Sequence, residues 1–136
     1  EIKYFIIEKI AFQSTKDFEY IIELFRTKNI KAWVNCPNRS FSSYQSIKKL
    51  ASNKSKLFLS VDGGNWGIAS NLIHYIDLFS YLSSETQIVI ETCYLDNSIF
   101  PSKRKGFIEL SGSIIAKTIK GDILVVNDDK NSKRRF

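Results

Sequence analysis

Apolar and polar positions recur along this chain at two periods, one helical and one strand-like, and the order of the elements they predict changes after the first proline. Tyr4–Ile7 is a short apolar run closed by Glu8 and Lys9, the pattern of a buried strand ending in charge. Ser14 stands three residues before Asp17, the spacing of a capping box. Behind it Phe18, Ile21, Ile22 and Phe25 recur at helical spacing, while Lys16, Glu19, Glu23 and Arg26 take the other side. This predicts an amphipathic helix ending near Asn29, a residue that tolerates a left-handed cap. Ala32–Asn35 follows as a second short strand. Strand, helix and strand in this order make a βαβ unit, which implies parallel pairing with a right-handed crossover.

After Pro37 the texture changes. Ser40–Ser43 offers several N-caps, and Tyr44, Ile47, Leu50 and Ala51 form a helical stripe. Leu57–Val61 reads as a strand, Asp62–Gly67 as a glycine-rich loop and Ala69–Leu82 as a helix. Three strand-like segments come next: Gln87–Leu95, Phe107–Lys117 and Gly121–Val126, with Gly121-Asp122 as a tight turn between the last two. Successive strands without intervening helices predict an antiparallel sheet. The expected class is therefore α/β (α+β): a βαβ unit over residues 1–36, then a separate α/β domain over residues 37–136 with an open, mostly antiparallel sheet.

Composition narrows the class further. With 43% hydrophobic and 25% charged residues the chain is globular, with enough apolar mass for a core. The net charge of +6 gathers in two clusters, Lys103-Arg104-Lys105 and Lys130, Lys133, Arg134 and Arg135. Basic clusters can track phosphates, yet these lack interleaved aromatics and read first as a solvated loop and a frayed terminus. A small basic nucleic-acid-binding domain is accordingly the weakest of the functional readings. Cys36 and Cys93 are too few for a disulfide framework and lack metal-ligand spacing, which fits a reducing compartment. The early apolar run is interrupted by Lys3, Glu8 and Lys9, and no stretch approaches the length of a membrane helix. The expectation is a cytoplasmic protein that engages neither membrane nor nucleic acid and holds no metal.

The helix Ala69–Leu82 carries the chemistry. Its spacing puts Leu72, Ile73, Ile76 and Phe79 on one side, and Ser70, Asn71, His74, Asp77 and Tyr81 on another. His74 is the only histidine in the chain, and histidine is the side chain best suited to proton exchange near neutrality. Asp77, one turn on, is placed to hold one ring nitrogen and fix the tautomer. Asn71 offers both donor and acceptor to sugar hydroxyls. The glycine-rich loop would let backbone and ligand approach closely, with Trp66 as a flat apolar wall. The plainer alternative is a boundary histidine, a surface aspartate and a core tryptophan.

Four segments then stand in a telling order: Ile6-Ile7-Glu8-Lys9, Trp33-Val34-Asn35-Cys36-Pro37-Asn38-Arg39, Asn65-Trp66-Gly67-Ile68-Ala69-Ser70-Asn71-Leu72-Ile73-His74-Tyr75-Ile76-Asp77-Leu78, and Gly106-Phe107-Ile108-Glu109-Leu110-Ser111-Gly112. Together they resemble the Gfo/Idh/MocA family of NAD(P)-dependent oxidoreductases. Members pair an amino-terminal Rossmann domain with a carboxy-terminal α/β domain bearing an open, mostly antiparallel sheet. The first segment resembles the strand ending in Glu-Lys-Pro, whose lysine reaches nicotinamide and substrate. The second resembles the crossover into the second domain, the third the glycine-rich loop and histidine helix, and the fourth the sheet segment after it.

The resemblance implies His74 and Lys9 as catalytic residues, Arg39, Trp66, Asn71 and Asp77 around the substrate, and Glu8, Lys9 and Asn35 toward NAD or NADP. It implies a sugar or nucleotide-sugar substrate, as in members of surface-polysaccharide metabolism, and a homo-oligomer formed through the open sheet. Residues 1–36 would be the last part of a Rossmann domain whose first strands precede Glu1, and the chain alone would be inactive. Three departures stand out: Ile10 follows Lys9 where the family has proline, Ser70 replaces an aspartate many members carry four residues before the histidine, and there is no Gly-x-Gly-x-x-Gly. The first two leave open a non-catalytic binding or assembly module of the same fold.

Overall fold

A computed structural model describes residues 2–51 and 56–132. Lys133, Arg134 and Arg135 of the tail cluster lie outside the described residues. The chain divides into two compact units, Glu1–Cys36 and Pro37–Phe136.

In the first unit β1 (Tyr4–Glu8) and β2 (Lys31–Asn35) pair in parallel, with Ile6 opposite Trp33 and Glu8 opposite Asn35. Helix α1 (Thr15–Thr27) joins them. Its start is the capping box the sequence announces: the Asp17 N–H donates to Ser14 Oγ at 3.1 Å. Its end is marked by Asn29 at φ 52°. The Lys9–Ile10 peptide is cis. Phe5 packs on Phe25 and Tyr4 stacks on Trp33. Two strands and one helix are too few to bury such side chains completely, and Ile6 stays 73% exposed.

The second unit opens with a short 3-10 helix, Pro37–Ser40, followed by α2 (Ser42–Ala51) and β3 (Phe58–Gly63). Then come α3 (Ile68–Ser83), β4 (Ile88–Leu95), β5 (Phe100–Pro101), β6 (Ile108–Glu109), β7 (Gly112–Thr118) and β8 (Ile123–Asp128). The main sheet has the order β3-β8-β7-β4. Only β3 and β8 run parallel; β8 with β7 and β7 with β4 are antiparallel. The fold is mixed α/β with a mostly antiparallel sheet, as the pattern of elements predicts.

One face of that sheet forms the core. Val61, Phe79, Ala116, Leu124 and Val126 are buried there, with Leu72, Tyr75 and Ile76 of α3 packed against them. The helix contributes Ile68, Leu72, Tyr75, Phe79 and Leu82, whose spacing of four, three, four and three residues makes one stripe. This corrects the apolar side expected from the sequence. Ile73 points outward at 39% exposure, and Tyr75, whose ring is largely apolar, takes its place inward. At the far end of α3, Lys48 of α2 donates to the Leu82 carbonyl at 3.0 Å, a cation on the negative end of the helix.

The segment expected as one strand, Phe107–Lys117, is two. Between β6 and β7 the Leu110 carbonyl accepts the Ile68 N–H and the Ser111 carbonyl accepts the Asp96 N–H. Those hydrogen bonds tie the chain to the start of α3 and to the end of β4, so the strand ladder breaks. The Gly121-Asp122 turn is as expected, and Asp122 does more than turn. Its buried carboxylate accepts from Thr118 Oγ1 and from the Leu57 N–H, both at 2.8 Å, clamping the hairpin to the lead-in of β3.

Candidate functional site

The amino-terminal end of α3 is held by carboxylates from two strands. Four backbone N–H groups at a helix start need partners, and the positive end of the helix favours anions. Here the anions are the protein's own. Asp128, 1% exposed at the end of β8, accepts the Trp66 N–H at 3.2 Å and the Gly67 N–H at 2.9 Å. Glu109, 6% exposed at the end of β6, accepts the Ser70 N–H at 3.3 Å. Two amides of the glycine-rich loop, those of Trp66 and Gly67, are thus taken by Asp128. Gly67 is glycine because its φ is +80° and because a Cβ there would stand 2.5 Å from the Glu109 carboxyl carbon.

Beside this helix end lies a cleft of about 300 Å³. One wall is Asn65, Trp66, Gly67, Ser70 and Asn71; the other is Phe100, Pro101, Ser102 and Lys103 of the β5–β6 hairpin, with Glu109 between them. Two aromatic rings, two amides, two hydroxyls, one carboxylate and one ammonium thus converge on one small space. Such a set recognises a small hydroxylated molecule with apolar ring faces.

The structure brings some expected residues together and separates others. Trp66 and Asn71 line the cleft. Trp66 also serves the core: its Nε1 donates to the Asn127 carbonyl at 3.3 Å and its ring meets Tyr75 edge-on at 5.3 Å. The Asn71 amide nitrogen reaches back to the Trp66 and Gly67 carbonyls and to Ser70 Oγ, which locks the side chain against the loop. The lining of the cleft ends at Asn71, and His74 follows one turn further along α3, half-buried, with Nδ1 shielded from solvent.

Asp77, expected beside His74, pairs with Arg39. Both of its oxygens are taken by Arg39, with Nε donating to Oδ2 at 2.8 Å and the second guanidinium nitrogen to Oδ1. Arg39 also lies 5.7 Å from the centroid of Tyr81. So Arg39 and Asp77, both expected at substrate, form a pair on the helix flank that ties the 3-10 turn to α3. In the first unit, Asn35 Nδ2 donates to Glu8 Oε2 at 2.9 Å and the Lys9 N–H donates to Glu8 Oε1 at 3.2 Å. Glu8, Lys9 and Asn35 thus gather at the carboxyl ends of two parallel strands, the edge at which open α/β sheets take ligands.

Glu109 and Asp128 were not singled out by sequence reasoning. Each sits at the end of a strand, where a charged residue reads as the exit from the sheet, and only the tertiary approach of α3 gives it a partner. Lys103, Arg104 and Lys105 are exposed, as a solvated loop requires, and Lys103 also lines the cleft. Among ionising groups, Tyr75 is held above its ordinary value of 10.0, first by burial of the phenol and then by the neighbouring Tyr44.

No protein-family model matches this sequence and no curated protein does. Solved structures do match in shape. A dehydrogenase (MviM) from Clostridium difficile superposes with a TM-score of 0.67 at 18% identity, covering 96% of this chain and 43% of that one. The myo-inositol dehydrogenase from Lactobacillus casei, solved in complex with NAD(H) and myo-inositol, gives 0.64 at 20% identity, covering 94% of this chain and 41% of its own. The fold is one that dehydrogenases share. The chain spans about two fifths of the length of these neighbours.

Proposed function

We propose that this chain is the substrate-carrying portion of a nicotinamide-dependent oxidoreductase that interconverts an alcohol and a carbonyl on a sugar or nucleotide-sugar, with His74 as its proton-transfer residue. The observation that carries the reading is the position of the sole histidine. It lies on α3 one turn beyond a cleft built from Trp66, Asn71, Phe100 and Glu109, in a fold shared with a dehydrogenase crystallised with NAD(H) and myo-inositol.

The described residues fit only part of a dinucleotide. No Gly-x-Gly-x-x-Gly occurs, and the start of α1 is capped by Ser14 and carries Asp17, an anion where a pyrophosphate would need amides. Groups other than these must hold the phosphates. Glu8, Lys9 and Asn35, at the strand ends, suit the nicotinamide end, whether of NAD or NADP. When bound, the nicotinamide supplies the acceptor or donor of hydride.

What the chain itself contributes is positioning and a proton path. Trp66 and Phe100 present ring faces to the apolar side of a polyol, and Ser70, Asn71 and Glu109 meet its hydroxyls. Asn71 and His74 stand one turn apart on α3, about 4.5 Å along the axis, and this reading seats the ring beside Asn71 with one hydroxyl toward the His74 imidazole. That imidazole takes the hydroxyl proton as the alcohol is oxidised and returns it on reduction. The family resemblance would give Lys9, in the first unit, a part in stabilising charge on a substrate oxygen. Titration of the full-length protein with NAD and with NADP tests the reading. Saturable heat or fluorescence change with one of them is expected, and none with either would contradict it.

A second reading has one observation in its favour. Asp128 takes the Trp66 and Gly67 amides of the glycine-rich loop and Glu109 takes the Ser70 amide in the first turn of α3, so these amides have a structural task. A non-catalytic assembly module of the same fold would keep that capping while losing turnover, and the homo-oligomer proposed through the open face of the sheet would then be its purpose.

A further inference from the structure

We infer that the β5–β6 hairpin is a peripheral docking element for an anionic lipid surface, which Ile99 and Ile108 enter and which Lys103, Arg104 and Lys105 hold by charge.

The hairpin is a two-stranded sheet separate from the main one. Phe100 pairs with Glu109, and both line the cleft. Successive side chains in a strand point to opposite faces, so Ile108, opposite Pro101, turns to the outer side. Neither Ile108 nor Ile99, which precedes the first strand, lines the cleft. They are left in water, Ile99 at 64% exposure and Ile108 at 58%.

The turn beyond the two strands closes on itself. The Ser102 N–H donates to the Phe107 carbonyl at 2.9 Å and the Phe107 N–H to the Arg104 carbonyl at 3.1 Å. A Cβ added at Gly106 would meet nothing within 4 Å, so this part of the turn stands clear. Lys103, Arg104 and Lys105 are all exposed on it, and among the described residues none of the three forms an ion pair.

Aliphatic side chains and uncompensated cations on one small projection mark a contact surface, and their chemistry selects the partner. An anionic bilayer takes both at once, the aliphatic groups at the acyl boundary and the cations at headgroup phosphates. A nucleic acid would use the cations but needs flat rings on which its bases stack. The ring on this turn, Phe107, already carries the Arg104 guanidinium 5.5 Å from its centroid. Among the described residues no helix is long and apolar enough to cross a membrane, and a peripheral contact needs none. The inference departs from the expectation of a chain that engages no membrane, and it is independent of the catalytic reading of the cleft.

The test is co-sedimentation of the chain with vesicles of phosphatidylcholine alone and of phosphatidylcholine with about 30% phosphatidylglycerol. Binding to the anionic vesicles is expected to be at least about tenfold tighter, and to be lost at about 1 M salt. Lys103→Ala/Arg104→Ala/Lys105→Ala should abolish it, and Ile99→Ser/Ile108→Ser should weaken it at unchanged charge. Lys3→Ala/Lys16→Ala/Lys28→Ala, which removes as many exposed cations from the first unit, should retain it. In the wild-type chain the anionic vesicles should also shield the bonds after Lys103, Arg104 and Lys105 from trypsin, a readout that needs no variant. Equal binding to neutral vesicles, equal loss in both cation variants, or cleavage of the turn unchanged by vesicles would each overturn the inference. So would binding indifferent to the two serines, which would mean adsorption by charge alone. Oligonucleotide binding that depends on the three hairpin cations, without vesicle binding, would assign the turn to nucleic acid and overturn it equally.

Discussion

Glu109 accepts the backbone N–H of Ser70 at 3.3 Å, so a carboxylate from the end of β6 caps the first turn of α3. The same carboxyl group sits where a side chain on Gly67 would have to be. Cap and glycine are therefore one device. Gly67→Ala should destabilise by about 2–5 kcal/mol, combining a strained positive φ with forced overlap. In a Glu109→Ala background the overlap is gone and only the backbone strain remains, about 1–2 kcal/mol. Denaturant melts of the four proteins in the cycle check this; additive losses would show that the two residues do not share the space.

Burial raises the Tyr75 phenol above 10.0, and the sign of its linkage to stability follows. The folded chain keeps the proton longer than the unfolded chain does. The associated stability is complete below pH 10 and is lost as pH rises through the folded value. Ultraviolet titration should show a late phenol that Tyr75→Phe removes, and the variant's stability should fall less steeply than wild type in the same range. Superimposable alkaline profiles would mean that the phenol is solvated.

The open face of the sheet carries a row that crosses all four strands: Phe58 beside Ile123, Ile123 beside Lys117, Lys117 beside Val89. Phe58 and Val89 are each 63% exposed. An apolar row of this kind favours self-association, and Lys117, paired with Glu91, keeps it from being wholly apolar. Light scattering should show concentration-dependent assembly that Val89→Glu abolishes. A monomer at all concentrations would remove the sheet as an interface.

Much of this architecture is written in local chemistry. The Ser14 cap, Asn29 at the helix end, the strand ending at Glu8 and the Gly121-Asp122 turn all depend on neighbours in sequence, and each is legible there. Contacts made at long range are not. Arg39 and Asp77 are 38 residues apart, and a helix-face argument cannot find that pair because it sees only the helix. Glu109 and Asp128 read as ordinary strand ends until α3 arrives above them. Tyr75 takes the inward place expected for Ile73, its largely apolar ring packing on the core, which a count of aliphatic positions does not register. The cleft is legible in part: Trp66 and Asn71 belong to its helix side, whereas its hairpin side depends on the break at Leu110 and Ser111.

The central claim is that His74 moves the proton of a polyol hydroxyl. Its most direct test is the rate of nicotinamide reduction by the full-length protein with a sugar alcohol at saturation, wild type beside His74→Ala, with circular dichroism confirming the fold of both. The account predicts a fall in kcat of about 10²–10⁴-fold with cofactor affinity retained. A His74→Ala variant turning over at the wild-type rate would contradict it.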